Sequence, residues 1–184
     1  MMSSFRNRLF GDDTSDKNID LEVRQQKADE TLRAAIELNG FTVVDCGVTD
    51  TVVVNESRDG EKIVVPITQF SLGSDIETPD TDLVWDFVGE AATALQDPFH
   101  DVFVRHYDIQ FSFGGEGFFN KKTCRRVLLT KPLVDKYTTD PDFSLAQLRN
   151  AVDVLDTIDD EIAPVAWGEC YDYRKINNGA VIIG

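Results

Sequence analysis

His106 and Asp108 stand two residues apart, with Gln110 two further on. On a strand that spacing puts all three on one face, with neighbours roughly 7 Å apart. An imidazole beside a carboxylate is the raw material of a general base or of a metal site. A two-histidine, one-carboxylate site needs His100 as well, the chain's only other histidine. Six strand residues place His100 roughly 20 Å from His106. The two cannot share an ion without a bend, so no metal site is expected and no cofactor is implied. His106 with Asp108 is the least poor place for a hydrolase, and the wider reading is non-enzymatic.

Other chemistry is thinner still. Gly114-Gly115-Glu116-Gly117 lies between two expected strands and lacks the Lys-Ser/Thr pair of a phosphate loop, so it reads as a hairpin tip. No Gly-x-Ser-x-Gly is present. Cys46, Cys124 and Cys170 are dispersed and odd in number, with no zinc spacing. They are expected beside the core as small hydrophobes rather than in a disulfide framework.

Charge is more informative. The 184 residues carry a net charge of −15, from 33 acidic and 18 basic side chains. Asp outnumbers Glu by 23 to 10, and only 8 of the bases are Lys. Such a charge strains a compact fold by self-repulsion at low salt. In molar salt the screening length falls to about 3 Å and the strain is relieved. This composition resembles that of proteins from salt-in halophiles, chiefly haloarchaea. It also makes nucleic acid an unlikely partner, because the surface repels phosphate. No apolar run approaches the roughly 18 residues of a membrane span.

Against that background two basic clusters stand out. Residues 1–18 read as an arm in which Arg6 and Arg8 occur before any acid. Lys121, Lys122, Arg125 and Arg126 fall within six residues, beside Phe118 and Phe119. These eight side chains are the candidate interaction residues. Either the bases pair with the chain's own acids, or they dock an acidic partner such as a second copy.

The elements that position these residues follow from periodicity. Helices are expected over 19–39, 83–96 and 144–162, with a short one over 132–137. Asn39-Gly40 is a stop, Thr81 or Asp82 a cap, and Ser144 with Gln147 a capping box. Strands are expected over 41–46, 51–56 and 61–70 as a meander, then 101–113 and 118–130 as a long hairpin. A C-terminal hairpin is expected from 165–174 and 180–183. Pro66 puts its strand at an edge or a bulge. In the 101–113 strand, Phe103, Tyr107, Ile109, Phe111 and Phe113 form an apolar face, and His106, Asp108, Gln110 and Ser112 a polar one.

The result is a single α+β domain over 19–184, an antiparallel sheet packed by three main helices. The order of elements over 19–162 resembles, in outline, the type III secretion chaperone-like fold. That resemblance implies a fold and no residue role. The N-terminus has no leader-like apolar run, so the chain reads as cytoplasmic in a high-salt cell, or as part of a virion. The expected function is a structural or assembly protein of a haloarchaeal or haloarchaeal-virus system, such as an oligomeric head–tail or tail component. The alternative is a soluble adaptor or secretion-chaperone-like binding protein. Both take protein partners.

Overall fold

A computed structural model describes residues 13–115, 121–155 and 164–173, with side chains from Asp20 onward. The order is α1 (Asp13–Leu38), β1 (Asp45–Glu56), β2 (Lys62–Gly73), α2 (Thr81–Phe99), β3 (Phe103–Val104), β4 (Tyr107–Phe113), β5 (Thr123–Leu129), α3 (Lys131–Thr139), α4 (Leu145–Leu155) and β6 (Val165–Glu169). The fold is α+β. Its sheet runs β1-β2-β4-β5-β6, with β3 paired to β2 beside that path.

The sheet is mixed, which corrects the expectation of a purely antiparallel one. β2 pairs in parallel with β3 and β4, while β1–β2, β4–β5 and β5–β6 are antiparallel. A parallel neighbour demands a crossover, and α2 supplies it. The expected three-strand meander is a two-strand hairpin. Residues 47–50, read as a turn, lie inside β1, which absorbs the irregularity as bulges at Val48/Asp50 and Val53/Asn55. Gly47 serves close approach instead. A Cβ there would sit 2.5 Å from both Arg33 Nη2 and Asp29 Oδ1, which reach down from α1. Asp29 Oδ1 accepts from the Val48 amide at 2.8 Å and ties the helix to the strand. The corrected order also departs from the secretion-chaperone outline, whose three-strand run after the first helix is absent.

α1 presents Ala28, Leu32 and Ile36 at helical spacing, all buried. Its end is a Schellman turn: Gly40 takes φ +68° and the Phe41 amide donates to the Ile36 carbonyl at 3.2 Å. α2 is capped by Asp80, not Thr81 or Asp82; the Asp80 carboxylate accepts from the amides of Asp82 and Leu83. The helix runs through Pro98 to Phe99 and buries Val84, Phe87, Val88, Ala91 and Leu95. Fully burying side chains of this size is worth roughly 1.5–3 kcal/mol each for the larger ones. Ser144 and Gln147 form the reciprocal capping box at α4, with contacts of 2.7 and 3.3 Å.

The main core lies between these helices and one sheet face, which contributes Val64, Phe70, Tyr107, Ile109, Phe111, Val127 and Leu129. Phe70 stacks on both Phe87 and Phe111. A second cluster of Val65, Ile67 and Tyr173 lies on the opposite face.

The expected 101–113 strand is two strands with a break. Val64 pairs with Val104 and Ile67 with Asp108, so one extra residue enters the β3–β4 side. That residue inverts the alternation: Val104 joins the core while Phe103 is 56 % exposed. Pro66 sits opposite the interruption, in a central strand rather than an edge. No helix among the described residues is long and apolar enough to cross a membrane.

Candidate functional site

Asp108 and Gln110 lie on the sheet face away from the helices, yet both are buried, Asp108 completely. The face that the sequence marks as polar is therefore closed over at these two positions. Residues that follow β6 cover it. From Cys170 to Tyr173 the chain turns back over the sheet as a strap. Cys124 and Cys170 form a disulfide, a cross-strand link that corrects the expectation of three free cysteines. Cys46 is free and buried. Arg126 stacks over Tyr171 at 5.5 Å, and Tyr171 meets Tyr173 edge-on.

Tyr173 closes a buried polar network. Its hydroxyl donates to Asp108 Oδ2 at 2.9 Å. The Tyr173 hydroxyl oxygen lies 2.9 Å from His106 Nε2, and with its own proton given to Asp108 it accepts from that nitrogen. Arg126 Nη1 donates to Asp108 at 3.4 Å and to Tyr173 at 3.3 Å. Gln110 donates to Asp108 at 3.2 Å, and Gln69 donates to Gln110 at 3.1 Å.

Burial dominates the electrostatics. It pushes the Asp108 carboxyl up, against the opposing pull of Tyr173, Arg126 and Gln110. It drives His106 down to about 4, with Arg105 and Arg126 adding repulsion. It also raises the Tyr173 phenol, with the Asp108 charge beside it. At neutral pH the imidazole is neutral and the phenol keeps its proton. These groups bond to one another through Asp108 Oδ2 and the Tyr173 hydroxyl and hold the strap to the sheet, while Asp108 Oδ1 and Arg126 Nε are buried without a partner among the described residues.

Beside the strap a cleft of about 430 Å³ remains, lined by Asp50, Val52, Gln69, Gln110, Tyr171 and Tyr173 among others. Among the described residues, no group of three or more His, Cys, Asp or Glu side chains is arranged to hold a metal. His100 is exposed at the end of α2, its Nδ1 2.7 Å from the Asp97 carbonyl.

The basic cluster divides. Arg126 belongs to the buried network, and Arg125 lies 3.7 Å from Glu169 on β6. Lys121 and Lys122 are exposed. Arg6, Arg8, Phe118 and Phe119 lie outside the described residues, as do residues 180–183.

A different surface combines aromatic and apolar groups with open access. A groove of about 270 Å³ runs between α2, α4 and β6, lined by Pro79, Val84, Trp85, Arg149, Asp153 and Trp167 among others. Trp167 stacks on Phe113 and leans on Phe111, yet stays 41 % exposed. Arg149 is 3.0 Å from Asp82 and lies over the Trp85 ring at 5.9 Å. Trp85 and Trp167 are the chain's only tryptophans, and both belong to this groove. Sequence reasoning passed over them because 82 residues separate them. Only α4, which packs against both α2 and β6, brings them together.

Comparison with known proteins finds no matching family model, no matching curated protein and no matching solved structure.

Proposed function

We propose that this chain is a non-enzymatic assembly protein of a high-salt system, a component of an oligomeric particle such as a virion head–tail or tail element. The observation that carries this reading is the tryptophan groove. A partly exposed Trp beside an apolar floor and a polar rim is the composition of an interface centre. The best acid–base cluster, by contrast, is enclosed beneath the strap, with Asp108 fully buried. The Cys124–Cys170 disulfide also favours a particle over a reducing cytoplasm, because such bonds persist where thiols are oxidised.

The test is absolute mass by light scattering behind a sizing column, in about 2 M KCl so that surface repulsion is screened. A discrete oligomer that dilutes reversibly to monomer is the expected result. A monomer at every concentration overturns self-assembly and leaves the adaptor reading.

A further inference from the structure

The geometry points to the occupant of the groove: we propose that the groove between Trp85 and Trp167 receives the basic, aromatic N-terminal arm of a second copy of this chain. The inference rests on the assembly reading and names its contact.

Chemistry argues for the match. Residues 1–11 hold Phe5, Leu9 and Phe10 for an apolar slot, Arg6 and Arg8 for an acidic rim, and no acid. The groove offers Val84, Trp85, Ala166 and Trp167 as its apolar lining. Exposed Glu77, Asp80, Asp82, Asp86 and Asp153 belong to the segments that form it. Among the described residues that line the groove the one base is Arg149, and it is already paired with Asp82.

Reach decides whose arm it is. α1 runs antiparallel to α2: Arg24 donates to the Pro98 carbonyl and pairs with Asp101, while Asn39 donates to Glu90. Asp13 precedes Arg24 by roughly 17 Å of helix, and Trp85 lies roughly 20 Å of helix before Pro98. The two displacements add, so roughly 37 Å separates the root of the arm from the groove. Phe10 can extend only about 10 Å from Asp13, and Phe5 about 28 Å. Phe5 and Phe10, the aromatic anchors of the arm, therefore fall short of their own groove. A neighbour stacked in the same orientation brings its arm into reach. Such a contact joins two different surfaces and so builds rings or rows rather than closed pairs.

The test uses full-length chains in about 2 M KCl, where buried aromatic anchors outweigh screened charges. Phe5→Ser/Phe10→Ser destroys the arm and keeps the groove. Trp167→Ala destroys the groove and keeps the arm. Each is expected to weaken self-association by about tenfold or more. Mixing the two restores a dimer with one intact contact. A synthetic peptide of residues 1–12 is expected to shift the tryptophan emission of the Phe5→Ser/Phe10→Ser chain to the blue. Should Trp167→Ala lose its circular dichroism signature, Asp153→Tyr replaces it, filling the groove from an exposed lining position without touching the core. Two variants that keep wild-type mass and emission overturn the arm–groove contact while the assembly reading stands. A wild-type monomer whose emission ignores the peptide overturns both.

Discussion

The hydroxyl of Tyr173 stands 2.9 Å from the carboxylate of the fully buried Asp108, 65 residues earlier in the chain. This bond anchors the strap to the centre of the sheet. Without it Asp108 keeps only the longer contacts to Gln110 and Arg126. Tyr173→Phe is expected to cost about 1–3 kcal/mol, the usual penalty for stranding a buried acceptor. Urea unfolding in high KCl measures it. Tyr171→Phe, at an exposed ring, is the control and should change little.

Acid should weaken the fold through His106. Above the ordinary histidine range, about 6.5, the imidazole is neutral in the folded and unfolded chains and contributes nothing to the pH dependence. As pH falls below 6.5 the unfolded chain takes up a proton that the folded site refuses until about 4. Stability is therefore lost across that window, by about 3 kcal/mol at its acid end. Asp108 runs the other way: its raised carboxyl favours the fold at low pH and stops doing so as pH rises through its folded value. The comparison that isolates histidine is His106→Gln. Between pH 7 and pH 4.5 it should lose about 2 kcal/mol less than wild type. Equal losses would mean that His106 is not held neutral.

Reduction should loosen the strap. Cys124 and Cys170 are separated by 46 residues, and closing such a loop constrains the unfolded chain by about 4 kcal/mol in the chain-entropy account. A thermal melt with and without a dithiol is expected to show a clear drop, reproduced by Cys124→Ser/Cys170→Ser without reductant. Thiol counting should find one free cysteine, Cys46, and only after unfolding, because it is buried.

Salt should stabilise the protein. With a net charge of −15 the folded state repels itself, and raising KCl from about 0.2 M to about 2 M shortens the screening length well below the spacing of surface carboxylates. The urea midpoint is expected to climb steadily over that range. A flat or falling midpoint would count against the halophilic reading.

The parts of the fold legible in the sequence are those written in local patterns. The stripe of α2, the stop at Gly40 and the capping box at Ser144 each need only a few neighbouring residues to be recognised. The parallel pairing of β2 with β4 is not local; nothing in either segment states which partner it takes. The inverted face at Phe103 shows how one inserted residue defeats alternation, since every side chain before it changes sides. The candidate sites were legible only as residue types. His106 and Asp108 do share a region, but the Tyr173 that seals them follows a strand at the far edge of the sheet. The Cys124–Cys170 pairing was equally hidden, because spacing along a chain says little about adjacency across strands.

The disulfide also changes what a broken backbone would mean. α3, α4 and β6 all lie between Cys124 and Cys170, so a single cut in the turn between α3 and α4 leaves one covalent molecule. The piece carrying α4 and β6 would keep its pairing to β5, and its one covalent tether to the sheet would be the disulfide. Tolerance to nicking at that turn, lost on reduction, is therefore built into this architecture.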